Sequence, residues 1–232
     1  MIGNVGSGTP THLSCPQRLR CPHCQRPATR CLCAWIRPTP NQVELLILQH
    51  PLEAGHAKGS APLLQLSLRA CTLLPGETFD ADALQARLNA PTAAQGLHGP
   101  LGQPVNVLLY PDGPSDALLY PTQAAEHGQW RAELNCLRLI VLDGTWRKSR
   151  KMLHLNPALQ TLPRLALRHE GPSRYLIRRA HRPGQLSTLE ACCAALSQLE
   201  AAPERYAPLL HAFDGLVAAH GHLPLSPQKA QA

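Results

Sequence analysis

Four thiols fall within thirteen residues: Cys21-Pro-His-Cys24, a six-residue spacer, then Cys31-Leu-Cys33. Thiolates in two close pairs separated by a turn can surround one tetrahedral Zn2+, and a segment this short has no core of its own, so a metal would supply its folding energy. The second pair makes the signal specific, because a lone C-x-x-C also fits a redox pair. Cys21, Cys24, Cys31 and Cys33 are the expected zinc ligands, with Cys15 and His23 as alternatives for one position. Nine cysteines in 232 residues are too sparse for a disulfide scaffold, and the crowding of four suits a reducing compartment.

A second constellation is Leu139-Ile140-Val141-Leu142-Asp143-Gly144-Thr145-Trp146, an apolar run that delivers a carboxylate to its carboxyl end just before a helix start. In an open α/β sheet that is where a ligand or catalytic contact is expected. Two readings of Asp143 stand side by side here, a functional carboxylate and the N-cap of the following helix. Gly144 lets backbone approach a ligand closely. Trp146 fits either the core or a stacking position against a purine.

Two further loops share this character. Leu108-Leu109-Tyr110-Pro111-Asp112-Gly113 ends another apolar run in a turn, and Gln185-Leu186-Ser187-Thr188 enters a helix with free N–H groups aimed outward. Taken singly they read as an ordinary turn and an ordinary cap; together with the Asp143 loop they could build a cofactor pocket.

Charge supplies the fourth signal. The net charge is +7, but residues 147–182 alone hold ten Lys/Arg against one acid, Glu170, and residues 1–43 add five arginines and no acid. The remainder carries seven bases against fourteen acids. Such polarisation anticipates a polyanion on one face. Within the basic tract, Ser173-Arg174-Tyr175-Leu176-Ile177-Arg178-Arg179 sets arginines beside an aromatic, which suits phosphates and a splayed RNA base. Tyr175 in the core, with its arginines merely solvated, is the plainer reading of the same residues.

Elements must position these groups. Val43 to Leu48, Ala70 to Leu74, Val105 to Tyr110 and Leu137 to Leu142 read as short strands buried on both faces, and Pro163 to Leu167 as a fifth. Helices are expected after a Ser60 N-cap, over Asp80 to Leu88, over Arg147 to Leu155, after the capping box Ser187-Thr188-Leu189-Glu190, and over 204–220. Twenty-three prolines, about twice the usual roughly 5%, separate short elements with stiff turns. Strands alternating with helices imply an open, largely parallel α/β sheet with helices on both faces. The expected organisation is a disordered leader over 1–18, a zinc-binding element over 19–40, a catalytic domain over 41–220 and a flexible tail over 221–232. No apolar stretch approaches the roughly 18 residues of a membrane span. No apolar leader is visible, so a cytoplasmic address is the default expectation; the oligomeric state is left open, with a monomer favoured.

At Asp143-Gly144-Thr145-Trp146 the chain resembles the DTW-domain family, the tRNA-uridine aminocarboxypropyltransferases. The similarity covers about residues 20–215. It rests on six blocks in order: the C-x-x-C and C-L-C pairs; His50-Pro51-x-Glu53 with Lys58-Gly59-Ser60; Tyr110-Pro111; Leu142 to Trp146 with Arg150-Lys151-Met152; Tyr175-x-x-Arg178; and Ser187-Thr188-x-Glu190-Ala191. The resemblance implies a SPOUT-like knotted fold, a metal-binding N-terminal element, and S-adenosylmethionine as donor of a 3-amino-3-carboxypropyl group to N3 of a tRNA uridine. It implies Asp143 as the essential residue, as general base or as orienting group. Ser60, Tyr110, Pro111, Leu142, Gly144, Thr145, Trp146, Ser187 and Thr188 are then expected around the donor. Lys148, Lys151, Arg174, Tyr175, Arg178 and Arg182 are expected on the RNA. A methyltransferase using the same donor, a ribosomal-RNA-modifying enzyme, and a non-catalytic zinc-dependent RNA-binding protein are the competing readings.

Overall fold

In the computed structural model, the described residues are 19–54, 59–93, 104–110, 134–167 and 186–221. The expected leader over 1–18, nearly all of the expected tail, Pro111, and the RNA candidates Arg174, Tyr175, Arg178 and Arg182 lie outside them.

Five strands, β1 (Glu44–Gln49), β2 (Cys71–Pro75), β3 (Val105–Leu109), β4 (Leu137–Asp143) and β5 (Arg164–Leu165), form one parallel sheet in the order β2-β1-β4-β3-β5. The helices are α1 (Ala61–Ser67), α2 (Ala81–Asn89), α3 (Trp146–Leu155), α4 (Pro157–Gln160), α5 (Thr188–Glu200) and α6 (Pro203–Gly221). The alternation of the strand side chains sorts the core into two layers. Leu45, Ile47, Leu139, Val141 and Val107 face one, with α1, α5 and α6. Leu46, Leu48, Ile140, Leu142 and Leu108 face the other, with Leu84 and Leu88 of α2, Met152 of α3 and Leu159 of α4. Both faces of the sheet are thus covered, which is why the strands of β1 and β4 read as continuous apolar runs.

Two expectations shift. The strand over 71–75 is only half-buried rather than sealed on both faces, because β2 is the sheet edge. The expected fifth strand over 163–167 contracts to two residues at the opposite edge.

Caps follow the sequence except at two places. Asp80 accepts from the Ala83 N–H at the start of α2, and the Ser187/Glu190 capping box opens α5 in both directions. Ser60 precedes α1 but makes no cap bond; its hydroxyl instead accepts from the Leu189 N–H at 3.3 Å. Asp143 is not the N-cap of α3: Thr145 is, and accepts from the Lys148 N–H.

At the amino ends of the strands, Glu44 and Arg138 are register partners, and the wholly buried Arg138 donates to Glu44 Oε2 at 3.1 Å. The same guanidinium donates to the carbonyls of Arg87, Leu88, Ala90 and Pro91, closing the carboxyl end of α2, whose last carbonyls have no helical partner. The cysteine-bearing segment packs on the first layer through the buried Leu32 and through Trp35, which lies against Gly215 of α6. No helix among the described residues is long and apolar enough to cross a membrane.

Candidate active site and metal centre

The sheet changes direction between β1 and β4. From β1 the chain steps outward to β2, whereas β3, β4 and β5 lie on the other side of β1. Ligands of open α/β sheets bind outside the carboxyl ends of the strands at such a reversal. The register brings Gln49, last residue of β1, directly opposite Asp143, last residue of β4.

Asp143 is 7% exposed and both of its oxygens accept a hydrogen bond. Gln49 Nε2 donates to Oδ2 at 2.8 Å, and Thr188 Oγ1, in the first turn of α5, donates to Oδ1 at 2.6 Å. The backbone closes around the same point, with the His50 N–H donating to the Asp143 carbonyl at 2.9 Å. Gly144 sits tightly in this closure: a Cβ there would meet Lys148 Cβ of α3 at 3.1 Å, tight enough that the first turn of α3 would have to give by a few tenths of an ångström, and would lie in ordinary contact with His50 Cβ at 3.7 Å.

Flanking groups tie three loops together. The Leu52 N–H donates to His50 Nδ1 at 3.1 Å, which places the ring proton on Nε2, the atom 2.9 Å from Glu77 Oε1 after β2. Lys151 Nζ donates to the other oxygen of Glu77 at 3.0 Å, and the lysine and histidine together hold that carboxyl below its ordinary value. Lys148 Nζ reaches Glu53 at 2.8 Å. Towards β3, Tyr110 and Trp146 stack with centroids 5.2 Å apart and planes 19° apart, and the Arg164 guanidinium lies over the Tyr110 ring at 5.4 Å. Trp146 remains 49% exposed.

Most of the residues singled out in the sequence therefore meet at one edge of the sheet. Asp143, Gly144, Thr145 and Trp146 end β4; Tyr110 ends β3; Ser187 and Thr188 open α5; and Ser60 joins them through Leu189. Leu142 differs, since its side chain packs into the α2–α3 layer. Lys148 and Lys151 are each paired with a carboxylate, whereas Arg147 and Arg150 on α3 are exposed and pair with no carboxylate among the described residues. Gln49, His50, Glu77 and Arg164 were not among the residues expected on donor, RNA or metal, although His50 lies in the block His50-Pro51-x-Glu53. The available signal for Gln49 was a polar residue ending an apolar run, just before that block.

The thiols of the cysteine element converge on one point. The four Sγ atoms of Cys21, Cys24, Cys31 and Cys33 all lie within 4.8 Å of one another, with Cys21–Cys33 at 3.5 Å and Cys24–Cys31 at 3.7 Å. Tetrahedral thiolate ligation at about 2.3 Å from zinc sets sulfurs about 3.8 Å apart, whereas a disulfide needs about 2.05 Å. The set fits zinc. Its electrostatics agree: the N–H groups of Cys24 and His23 pull the Cys21 thiol down to about 6, while hydrogen bonding with Cys31 and Cys21 pushes Cys33 up to about 12. Four crowded thiols cannot all ionise unless a cation replaces their protons. Arg26, beside this cluster, donates to the Gly59 carbonyl at 3.2 Å, linking the element to the residue preceding Ser60.

Comparison with known proteins gives the same outline. The chain is 31% identical over 192 residues to tRNA-uridine aminocarboxypropyltransferase 2 of Drosophila melanogaster, covering 81% of this chain and 69% of that protein. It is 27% identical over 196 residues to tRNA-uridine aminocarboxypropyltransferase 2 of Mus musculus, covering 79% of this chain and 57% of that one. It is 29% identical over 143 residues to tRNA-uridine aminocarboxypropyltransferase A of Arabidopsis thaliana, covering 59% and 51%. No solved structure matches the chain significantly. The DTW domain matches residues 18–220, which includes the cysteine cluster, the Asp143 loop and the α5 cap alike, and the chain belongs to the DTW-domain family.

Proposed function

We propose that this chain transfers the 3-amino-3-carboxypropyl group of S-adenosylmethionine to N3 of a uridine in tRNA. The observation that carries the reading is the placement of Asp143: a nearly sealed carboxylate, gripped from β1 and α5, at the carboxyl edge of a parallel sheet where the strand order reverses. The names of the curated relatives support the group transferred and the acceptor.

In the reaction a bond forms between N3 and the γ-carbon of the methionyl arm, and the bond from that carbon to sulfur breaks. The electron pair stays on sulfur, leaving neutral methylthioadenosine, and the N3 proton passes to Asp143 and from there to water. The sulfonium is already a strong leaving group, so holding the two reactants in line carries most of the rate. Gly144, Thr145, Ser187 and Ser60 supply small or hydroxylic surroundings for the donor, beside Tyr110 and Trp146. The cations of α3 are assigned to the RNA, as are Arg174, Tyr175, Arg178 and Arg182, which lie outside the described residues. Cys21, Cys24, Cys31 and Cys33 would hold a zinc ion as a fold element, which would crosslink a segment with almost no core of its own.

The order β2-β1-β4-β3-β5, with β4 entering between β1 and β3, supports a SPOUT-like reading of the fold. The connections over 111–133 and 168–185 that would thread its knot lie outside the described residues.

The test is nucleoside mass spectrometry of tRNA incubated with the protein and S-adenosylmethionine. Uridine heavier by an aminocarboxypropyl group, with methylthioadenosine released in equal amount, is the expected outcome. A methyl-sized increment with S-adenosylhomocysteine would replace this reading by methyl transfer.

A further inference from the structure

Among the described residues, buried carboxylates are held in different ways; Glu190, for one, accepts the Ser187 N–H within the α5 capping box. Glu44 lies between Arg87 and Arg138, and Glu200 is paired with Arg205 while accepting the N–H groups of Gln42 and Val43. Guanidinium partners can only donate, so both carboxylates face donors that cannot turn to accept. Asp143 is also buried, yet no ion pair reaches it among the described residues; its two side-chain partners are the amide of Gln49 and the hydroxyl of Thr188.

Those two partners share a property that arginine lacks. An amide presents N–H2 in one orientation and a carbonyl oxygen in the other, and a hydroxyl rotates to donate or accept. Around an ionised Asp143 both donate, as observed. Around a protonated Asp143 one of them can turn and accept, so the carboxyl can take a proton without leaving a buried donor unmatched, a mismatch that would otherwise cost about 1–3 kcal/mol. The contrast runs along a single strand pair: register partners Glu44 and Arg138 meet through a donor that cannot accept, and register partners Gln49 and Asp143 through an amide that can do either.

We propose that Gln49 is the positioning residue that sets the rotamer of Asp143 and lets that carboxyl accept and return a proton during transfer. The inference rests on the function proposed above and assigns a role to a residue that no motif marks. Gln49 is 3% exposed, at the end of a strand buried on both faces, and touches the reaction only through Asp143. Other titratable groups around Asp143 are His50, which follows Gln49 and is committed to Glu77; Lys148 of α3, committed to Glu53; Glu190 in the first turn of α5, committed to the Ser187 N–H; and the thiol of Cys192, one turn beyond Thr188, which burial keeps protonated.

Single-turnover transfer to tRNA, followed against pH, tests this in the full-length protein and two variants. Gln49→Met keeps the length of the side chain and removes both hydrogen-bonding roles. We expect a rate lower by roughly 10–100-fold with the donor KM within about twofold, and an acid limb displaced upward, because losing a donor favours the protonated carboxyl. Gln49→Glu keeps the shape but can donate only while the pair shares one proton, so activity persists at low pH and falls towards alkaline pH, opposite to the parent. A Gln49→Met protein with unchanged rate and limb, altered only in melting temperature, would overturn the proposal, as would a Gln49→Glu profile superimposable on the parent. Should Gln49→Met fail to fold, the isosteric Gln49→Glu profile decides alone. If the parent itself produces no aminocarboxypropyl uridine, it is the proposed function that fails, and that result is visible before either variant is made.

Discussion

Trp35 of the cysteine element lies so close over Gly215 of α6 that a Cβ on the glycine would stand 2.3 Å from ring atom Cζ3 and 2.9 Å from Cη2. The missing side chain on α6 is therefore the seat of an indole, and with Leu32 fully buried in the same core cluster the element is packed into the main core. A rigid ring facing helix backbone has little room to retreat. Gly215→Ala is expected to cost about 1–3 kcal/mol by overpacking, a drop of about 2–4 °C in melting temperature per kcal/mol at this chain length. The diagnostic measurement is a double-mutant cycle in urea: with Trp35→Ala present, the cost of Gly215→Ala should largely vanish. Additive effects would mean that the two residues do not share this contact.

Metal removal should be felt beyond the four cysteines, because Arg26 connects their loop to the Gly59 carbonyl in front of α1 and Ser60. A chelator strong enough to strip zinc, or Cys24→Ser, is expected to lower the melting temperature by ~5–10 °C and to raise the donor KM while α/β secondary structure persists by circular dichroism. Restoring zinc should reverse the chelator effect and leave Cys24→Ser unrepaired. A donor KM indifferent to metal would confine the element to stability or to RNA.

Periodicity and capping chemistry made most of this fold legible. The strands of β1 and β4 announce themselves as apolar runs because they are covered on both faces, and the Ser187/Glu190 box marks the start of α5 to the residue. The strand order escaped that reading, since parallel pairing depends on which crossover lies on which face and leaves no local trace. Asp143 was legible as a strand-end carboxylate, but its status against a helix cap was settled only by Thr145 taking the cap. Gln49 was hidden for a related reason. Its partner is 94 residues away, and a glutamine ending a strand carries no spacing signal until the register sets it opposite Asp143. The paired state of Lys148 and Lys151 was equally invisible, because a basic tract advertises charge and says nothing of which cations meet Glu53 and Glu77 after folding.

Glu77 gives a pH prediction. Lys151 and His50 depress its carboxyl in the folded chain, so its contribution to stability is complete above the ordinary carboxylate value and is lost as pH falls through the lowered one. Glu77→Gln should therefore melt below the parent near neutral pH, with the two curves converging in acid. Being partly exposed, the pair should also weaken as salt rises. A gap between parent and variant that persists unchanged into strong acid would assign the loss to packing rather than charge.

The exposed cations of α3 separate binding from clamping in a way that salt can read. Each phosphate neutralised by a protein cation contributes about 0.7–0.9 to the slope of log affinity against log salt. Arg147 and Arg150 are exposed and meet no carboxylate among the described residues, so each is available to a phosphate; Lys151 already spends its charge on Glu77. Arg150→Gln is expected to weaken tRNA binding about evenly across sequences and to reduce the slope by close to one phosphate, while Lys151→Gln changes the slope by much less. Filter binding or fluorescence titration at four or more salt concentrations measures both. Equal slope changes for the two variants would mean that RNA displaces Glu77 from Lys151, turning a clamp into a contact; a slope unmoved by Arg150→Gln would remove α3 from the RNA face altogether.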